Sequence, residues 1–197
     1  MNERNLHIKI PLERLGVLIG REGSAKEILE KKIEVKITVE SATGDIELKS
    51  SNPDPSFLFR GRDIVQAIGR GFSPLNAFKL FNEDLNLYII DLNEYFSSPS
   101  DFQRVKSRII GTKGKTRRII EEETVTSISV YGHTISIIGD MRHIDVAKEA
   151  IEMFIRGALH HSVYQYLNIK RNELKKIEME LWKPSTNILK KGVKKYV

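Results

Sequence analysis

The chain has 197 residues, of which 40% are hydrophobic, so it is long enough for one large domain or two small ones. It contains no cysteine, and this excludes disulfide bonds, a catalytic thiolate and a zinc ion held by cysteines. The net charge of +6 favours an acidic partner such as nucleic acid, and no apolar run approaches the roughly 18 residues that a membrane span requires.

The first seventy residues alternate between strand-like and helix-like hydrophobic patterns. Apolar residues at every second position predict strands, and apolar residues three or four positions apart predict helices. In chain order, these patterns predict a strand at Leu6 to Ile10, helices at Leu12 to Ile19 and Ser24 to Lys32, strands at Val35 to Val39 and Ile46 to Leu48, and a helix at Phe57 to Gly69. The predicted order is β-α-α-β-β-α.

The second half of the chain repeats this order and part of the sequence. A shift of 91 residues aligns Ile19 to Gly23 with Ile110 to Gly114, and Ile37 with Ile128. The predicted elements are a strand at Leu87 to Asp91, helices at Asp101 to Ile110 and Lys115 to Glu123, strands at Ser127 to Tyr131 and Thr134 to Ile138, and a helix at Met141 to Ile155. The repeat predicts two similar modules.

The segments outside the two modules have their own patterns. Phe72 to Asn86 contains several apolar side chains, which predict a packed helix and two modules fixed against each other. Helical spacing from Leu167 to Leu181 predicts a C-terminal helix that stops at Trp182 to Pro184, and Lys183 to Val197 reads as a basic tail. We expect a first module with the joining helix at residues 1–82, a second module at 83–164, and the C-terminal helix and tail at 165–197.

Each module carries a Gly-x-x-Gly turn that is preceded by isoleucine and followed five residues later by isoleucine. Glycine lets a backbone approach a ligand closely, and amides at the start of the next helix point toward an anion, so the turn suits a phosphodiester. Ile109, Ile110, Ile120 and Ile128 would form a narrow floor for unstacked bases.

These features resemble the KH domain family in its type I arrangement. The resemblance implies an α+β fold of two tandem type I KH domains, each a three-stranded antiparallel sheet packed by three helices, plus a C-terminal helix. It also implies that the protein binds single-stranded RNA.

The two modules differ in charge. From Arg104 to Arg118 there are seven basic residues and no acid, whereas the matching window from Glu13 to Glu27 holds three of each. Because affinity for RNA rises with the number of phosphates neutralised, we expect the second module to bind RNA better. Two alternatives stay open: the basic run is a solvated helix face, or Arg21 and Glu22 neutralise each other and leave the first module as a scaffold or a protein-binding surface.

The predicted RNA-binding residues lie in and around both turns. In the second module they are Arg104, Lys106, Arg108, Ile109, Ile110, Gly111, Thr112, Lys113, Gly114, Lys115, Thr116, Arg117, Arg118, Ile120 and Ile128. In the first module they are Gly20, Arg21, Glu22, Gly23 and Lys26.

A closer resemblance extends over nearly the whole chain. The segments Ala67 to Pro74, Arg108 to Arg118 and Ser129 to Gly132, with the paired modules, resemble the Partner-of-Nob (Dim-two) family in its archaeal type. The resemblance implies a ribosome assembly factor that binds near the 3′ end of the small-subunit rRNA, beside the endonuclease that trims this rRNA. The alternative is an interaction adaptor for that nuclease or for a translation initiation factor, with RNA binding secondary.

Patterns that would indicate an enzyme are incomplete. Gly114 to Thr116 resembles the end of a phosphate-binding P-loop, but Ile109 stands where that motif has its first glycine. Gly69 to Gly71 begins like a dinucleotide-binding motif, but Pro74 replaces the third glycine. None of the five histidines has metal-ligand spacing. We therefore expect a protein without catalysis, cofactor or metal, and without a secretion signal we expect it to be soluble and cytoplasmic.

Overall fold

The computed structural model describes residues 4–181 and has an α+β fold with two three-stranded antiparallel sheets. The predicted stop at Trp182 to Pro184 and the basic tail, Lys183 to Val197, lie outside the described residues. Within residues 4–181, no helix combines the length and the apolar character that crossing a membrane requires.

The first half contains three strands and three helices in the predicted order. They are β1 (Arg4–Lys9), α1 (Leu12–Ile19), α2 (Ser24–Ile33), β2 (Lys36–Glu40), β3 (Asp45–Ser50) and α3 (Ser56–Gly69). The strand order is β1-β3-β2, with Leu6 opposite Leu48 and Ile37 also opposite Leu48. The alternating apolar residues therefore share one face of the sheet, against which the helices pack.

The joining segment is packed, as predicted. It forms a short helix, α4 (Pro74–Ala77), followed by a 3₁₀ turn (Phe78–Phe81) rather than one continuous helix. Pro74 occupies the first turn, and the Ser73 hydroxyl accepts a hydrogen bond from the amide of Asn76. Phe72 and Leu80 are buried in the hydrophobic core of the first half, so this segment is not a free linker.

The second half repeats the order and adds a long helix. Its elements are β4 (Asn86–Asp91), α5 (Pro99–Ile110), α6 (Lys115–Thr124), β5 (Ser127–Tyr131), β6 (Thr134–Gly139), α7 (Met141–Ile155) and α8 (His160–Leu181). The strand order is β4-β6-β5. Helix α5 begins two residues before the predicted start because Pro99, with its fixed φ, suits the first turn of a helix.

Helix α8 starts at His160, inside the stretch that we assigned from sequence to the second module. Val163 and Leu167 on this helix are fully buried in the core of the second half, together with Phe154 at the end of α7. The first two turns of α8 therefore pack as part of that half.

The two halves pack through the face of the second sheet that points away from its own helices. Ile138 lies on this face and belongs to the hydrophobic core of the first half. The Lys79 ammonium donates to the Ser127 hydroxyl at 2.8 Å, and the Ser129 hydroxyl donates to the carbonyl of Arg70 at 2.9 Å. Hydrophobic contact and partly buried hydrogen bonds thus fix the two halves against each other, as expected.

Tyr131 contacts helix α1 of the first half at one edge of this interface. Its hydroxyl donates to the Glu13 carboxylate, and the Arg14 guanidinium lies 5.7 Å from the centre of its ring. Burial, with the bond to Glu13, raises the pKa of the Tyr131 hydroxyl above its ordinary value. This contact joins helix α1 to the end of strand β5.

A strained backbone position ends helix α6. Val125 has a φ of +50°, in the left-handed region that β-branched residues rarely adopt, and its side chain is 75% exposed. Replacement by asparagine, which tolerates this region, should stabilise the protein by about 1 kcal/mol and raise Tm by about 2 to 4 °C. Val125→Thr keeps the branched side chain and should give no gain. Thermal melts that rank asparagine below threonine would contradict this expectation.

Candidate nucleic-acid interface

The two glycine turns have the same backbone conformation. Gly111, Lys113 and Gly114 have φ values of +69°, +52° and +74°. The matching Gly20, Glu22 and Gly23 have values of +76°, +51° and +84°. Each turn is a short 3₁₀ segment that leads directly into a helix, so the two loops differ in side chains rather than in shape.

The two glycines of the second loop have different roles. A Cβ atom on Gly111 would lie 2.3 Å from the Thr116 hydroxyl oxygen, because the loop packs tightly onto the first turn of α6. A Cβ atom on Gly114 would meet no other atom within 4 Å, so this glycine faces open space. The missing Cβ atom at Gly111 therefore allows the loop to pack against α6, while the missing Cβ atom at Gly114 leaves the backbone accessible to a ligand.

Cationic side chains surround the open part of the second loop. Thr112, Lys113 and Lys115 are exposed, and neither lysine has an ion-pair partner within residues 4–181. The Arg118 guanidinium donates to the carbonyl of Lys113 at 3.3 Å, which holds a third positive charge at the loop. The first turn of α6 contains no acidic residue, so the field here is favourable to a phosphate.

Three other predicted basic residues have partners of their own. Arg104 pairs with Asp101 at 3.0 Å, and Arg117 lies 3.6 Å from the Glu121 carboxylate. The Lys106 ammonium donates to the carbonyl of Gly132 at 3.1 Å. These contacts are near the surface, where such pairs contribute little stability, so the three side chains can still exchange these partners for an anion.

Arg108 binds carbonyls at the end of a helix. Its guanidinium donates to the carbonyl of Phe154 at 3.3 Å and to the carbonyl of Ala158, and it lies 5.5 Å from the Phe154 ring centre. Phe154 lies in the last turn of α7 and Ala158 lies in the turn that follows, so these bonds tie helix α5 to the end of α7. This corrects the expectation of a fully free cation at Arg108, because two of its N–H groups are engaged in the fold, although its side chain still lines a cavity beside the loop.

The different roles of Arg108 and Lys115 give a testable contrast. Arg108→Ala should lower Tm by about 5 °C, because it removes charge-assisted bonds worth about 2 kcal/mol, and should not change the salt dependence of RNA binding. Lys115→Ala should leave Tm unchanged and reduce the slope of log affinity against log salt by roughly 0.7, the value of one phosphate contact. The reverse pattern, with the slope changed by Arg108→Ala, would contradict this division of roles.

The expected floor of isoleucines is also corrected. Ile109 and Ile120 are fully buried and Ile128 is 4% exposed, because all three belong to the core of the second half. Their side chains offer no surface to a base. Ile110 is 36% exposed and is the member of the set that lies at the surface beside the loop.

The first loop has the same shape but no positive excess. Arg21 and Glu22 are both exposed, and Glu22 occupies the position of Lys113. Lys26 lies 3.9 Å from the Glu30 carboxylate on the same helix. The loop can therefore admit a backbone, but its side chains give no net attraction for a phosphate.

Helix α8 lies beside the second loop, which no local sequence pattern indicated. The Tyr164 hydroxyl is 3.0 Å from that of Thr116, which is 3% exposed, and a ring nitrogen of His160 is 3.2 Å from the carbonyl of Arg108. Contacts between residues so far apart in sequence have no local signature. In the part of the chain that the structure describes, no group of three or more potential metal ligands occurs.

Comparison with known proteins agrees with this geometry. Residues 86–172 match a family described as eukaryotic type KH-domain (KH-domain type I). A KH domain-containing protein of Methanocaldococcus jannaschii is 42% identical over 92% of this chain and 80% of its own. The pre-rRNA-processing protein PNO1 of Candida albicans is 26% identical over 88% of this chain and 67% of its own.

A solved structure is similar over most of its length. A chain in the crystal structure of the a/eIF2alpha, aDim2p and rRNA complex from Pyrococcus horikoshii has a TM-score of 0.82 and 46% identity, covering 87% of this chain and 96% of that one. The sequence identity, the KH family match and the structural similarity agree. The chain therefore belongs to the Partner-of-Nob (Dim-two) family of KH-domain proteins.

Proposed function

We propose that the protein binds single-stranded RNA during assembly of the small ribosomal subunit, in the cytoplasm and without catalysis. The observation that carries this proposal is the second glycine loop, where Lys113 and Lys115 are exposed beside an open backbone at Gly114. A loop of this kind clamps about four nucleotides of a single strand in KH domains. It offers amides and cations, which hold a phosphodiester without breaking it.

The fold supports two tandem type I KH domains. Both halves have the order β-α-α-β-β-α, the same strand order and glycine loops of the same conformation. We assign residues 1–82 to a first KH domain with the joining segment, 83–164 to a second, and 165–197 to a C-terminal helix and basic tail. Because α8 starts at His160, its first turn lies within the second of these domains.

The relatives support rRNA as the RNA that this chain binds. The Candida albicans protein is named for pre-rRNA processing, and the Pyrococcus horikoshii complex contains rRNA. We propose that this chain binds near the 3′ end of the small-subunit rRNA, beside the endonuclease that trims this end.

A second candidate function is that of an adaptor, in which RNA binding is secondary. The neutral pair of Arg21 and Glu22 favours it for the first half, because that loop has no positive excess. The Pyrococcus horikoshii complex also contains a/eIF2alpha, so a translation initiation factor is a partner to test.

A salt series tests the two functions against each other. We expect tight binding to a single-stranded RNA from the 3′ end of small-subunit rRNA, weaker binding to a scrambled RNA, and affinity that falls steeply as salt rises. RNA binding that ignores sequence and salt, together with tight capture of a/eIF2alpha, would move the adaptor function to first place.

A further inference from the structure

A cavity of about 400 Å³ opens on the α8 side of the second glycine loop. Residues of the loop, the first turn of α6, the end of α5 and the start of α8 line it, and no residue of the sheet does. The cavity therefore lies on a different side of the loop from strand β5. Its volume falls within the range of about 300 to 1,000 Å³ that is typical of small-ligand sites. The cavity is therefore large enough for a whole nucleotide, which is more than a phosphate group requires.

The lining of this cavity is suited to a nucleotide. Two cationic residues line it: Lys115, which has no ion-pair partner within residues 4–181, and Arg108. None of the lining residues in the described part of the chain is acidic. His160 and Tyr164 also line the cavity and lie one helical turn apart, with ring centres 6.1 Å from each other. Aromatic side chains beside a cation can stack a base while its phosphate is held.

Both aromatic rings are fixed by contacts to the helices on either side of the loop. The Tyr164 hydroxyl is hydrogen-bonded to that of Thr116 at 3.0 Å, and His160 contacts the carbonyl of Arg108 at 3.2 Å. The rings are therefore in place before a ligand arrives, which lowers the entropy cost of binding. The first half lacks this arrangement, because Ala25 stands where Thr116 would be and the chain there continues into α4.

We propose that this cavity holds the nucleotide that flanks the stretch clamped by the second glycine loop, with its base against Tyr164 and His160 and its phosphate near Lys115. The inference rests on the proposed RNA binding and extends it by one nucleotide. Helix α8 is thereby part of the RNA-binding surface rather than only a support for the core.

The test uses nested RNAs and two matched variants. The parent RNA is the four-nucleotide stretch, taken from the 3′ end of the rRNA, that the full chain binds. The longer RNAs carry one more nucleotide at the 5′ end or at the 3′ end of this stretch. Each added nucleotide is tested with its base and as an abasic residue. Tyr164→Phe keeps the aromatic face and loses the hydroxyl, whereas Tyr164→Leu keeps most of the volume and loses the face. Affinity is measured by fluorescence anisotropy, and thermal melts compare the folding of both variants.

We expect the added nucleotide at one end to raise affinity by at least about fivefold, the equivalent of about 1 kcal/mol for a stacked base. The gain should persist in Tyr164→Phe and disappear in Tyr164→Leu and with the abasic residue. No gain at either end, or an equal gain in Tyr164→Leu or with the abasic residue, would overturn the site while leaving the loop's RNA binding intact. Failure of every RNA to bind would overturn the proposed function as well.

Discussion

Replacing Thr112 and Lys113 together by aspartate will weaken RNA binding at least about tenfold and leave Tm almost unchanged. The change removes one cation and adds two anions where the phosphodiester passes, so attraction becomes repulsion. Both side chains are exposed, so little packing is lost. Lys113 has a φ of +52°, and aspartate tolerates this conformation, so the backbone should keep its shape. Fluorescence anisotropy and a thermal melt of the same sample measure the two effects.

The first loop supplies a matched control, because its backbone is the same. Arg21→Asp with Glu22→Asp places aspartate at both equivalent positions, replacing the cation at position 21 and keeping the negative charge at position 22, and should cost much less affinity. If this control costs more than the change at Thr112 and Lys113, the assignment of RNA binding to the second half is wrong. Loss of Tm in the second-loop variant would show instead that the fold was damaged.

Replacing Ile138 by aspartate will separate the two halves and lower stability by about 4 kcal/mol or more, because an unpaired carboxylate would be buried. Ile138 is 1% exposed and lies in the core of the first half although it belongs to the second sheet. We expect the native chain to unfold in a single transition in calorimetry. The variant should show two transitions, since each half retains a core of its own.

Ile138→Val is the matched control for this prediction. Loss of one methyl group should cost only about 1 kcal/mol and keep the single transition. An unchanged Tm in Ile138→Asp would show that this face of the sheet is open to solvent. Two transitions in the native chain would show that the halves unfold independently.

Local sequence patterns were sufficient to predict most of the fold. Alternating apolar residues predicted both sheets, and the 91-residue shift predicted that the halves repeat one order of elements. The Gly-x-x-Gly pattern predicted both loops, because glycine is free to adopt positive φ. The structure shows why the first glycine is needed: a Cβ atom on Gly20 or Gly111 would clash with the next helix. These signals lie within a few neighbouring residues, so a single sequence shows them.

The roles of individual side chains depended on contacts between distant parts of the chain. Arg108 belongs by sequence to a basic run, but its guanidinium reaches carbonyls about 50 residues away. Ile109 and Ile120 flank the loop by sequence, yet they point into the core. Helical spacing predicted that α8 forms, but nothing local predicted that Tyr164 would contact Thr116. A residue's position near a motif therefore did not determine whether its side chain faces the ligand.

Photo-crosslinking tests most directly whether the second loop holds the RNA. A 3′-end rRNA fragment with 4-thiouridine at successive positions would be bound to the full chain, irradiated and mapped by mass spectrometry. We predict crosslinks at the loop from Gly111 to Lys115, and none at Gly20 to Gly23 at the same RNA concentration. Crosslinks concentrated at Gly20 to Gly23, or spread over the surface without preference, would contradict the assignment of RNA binding to the second half.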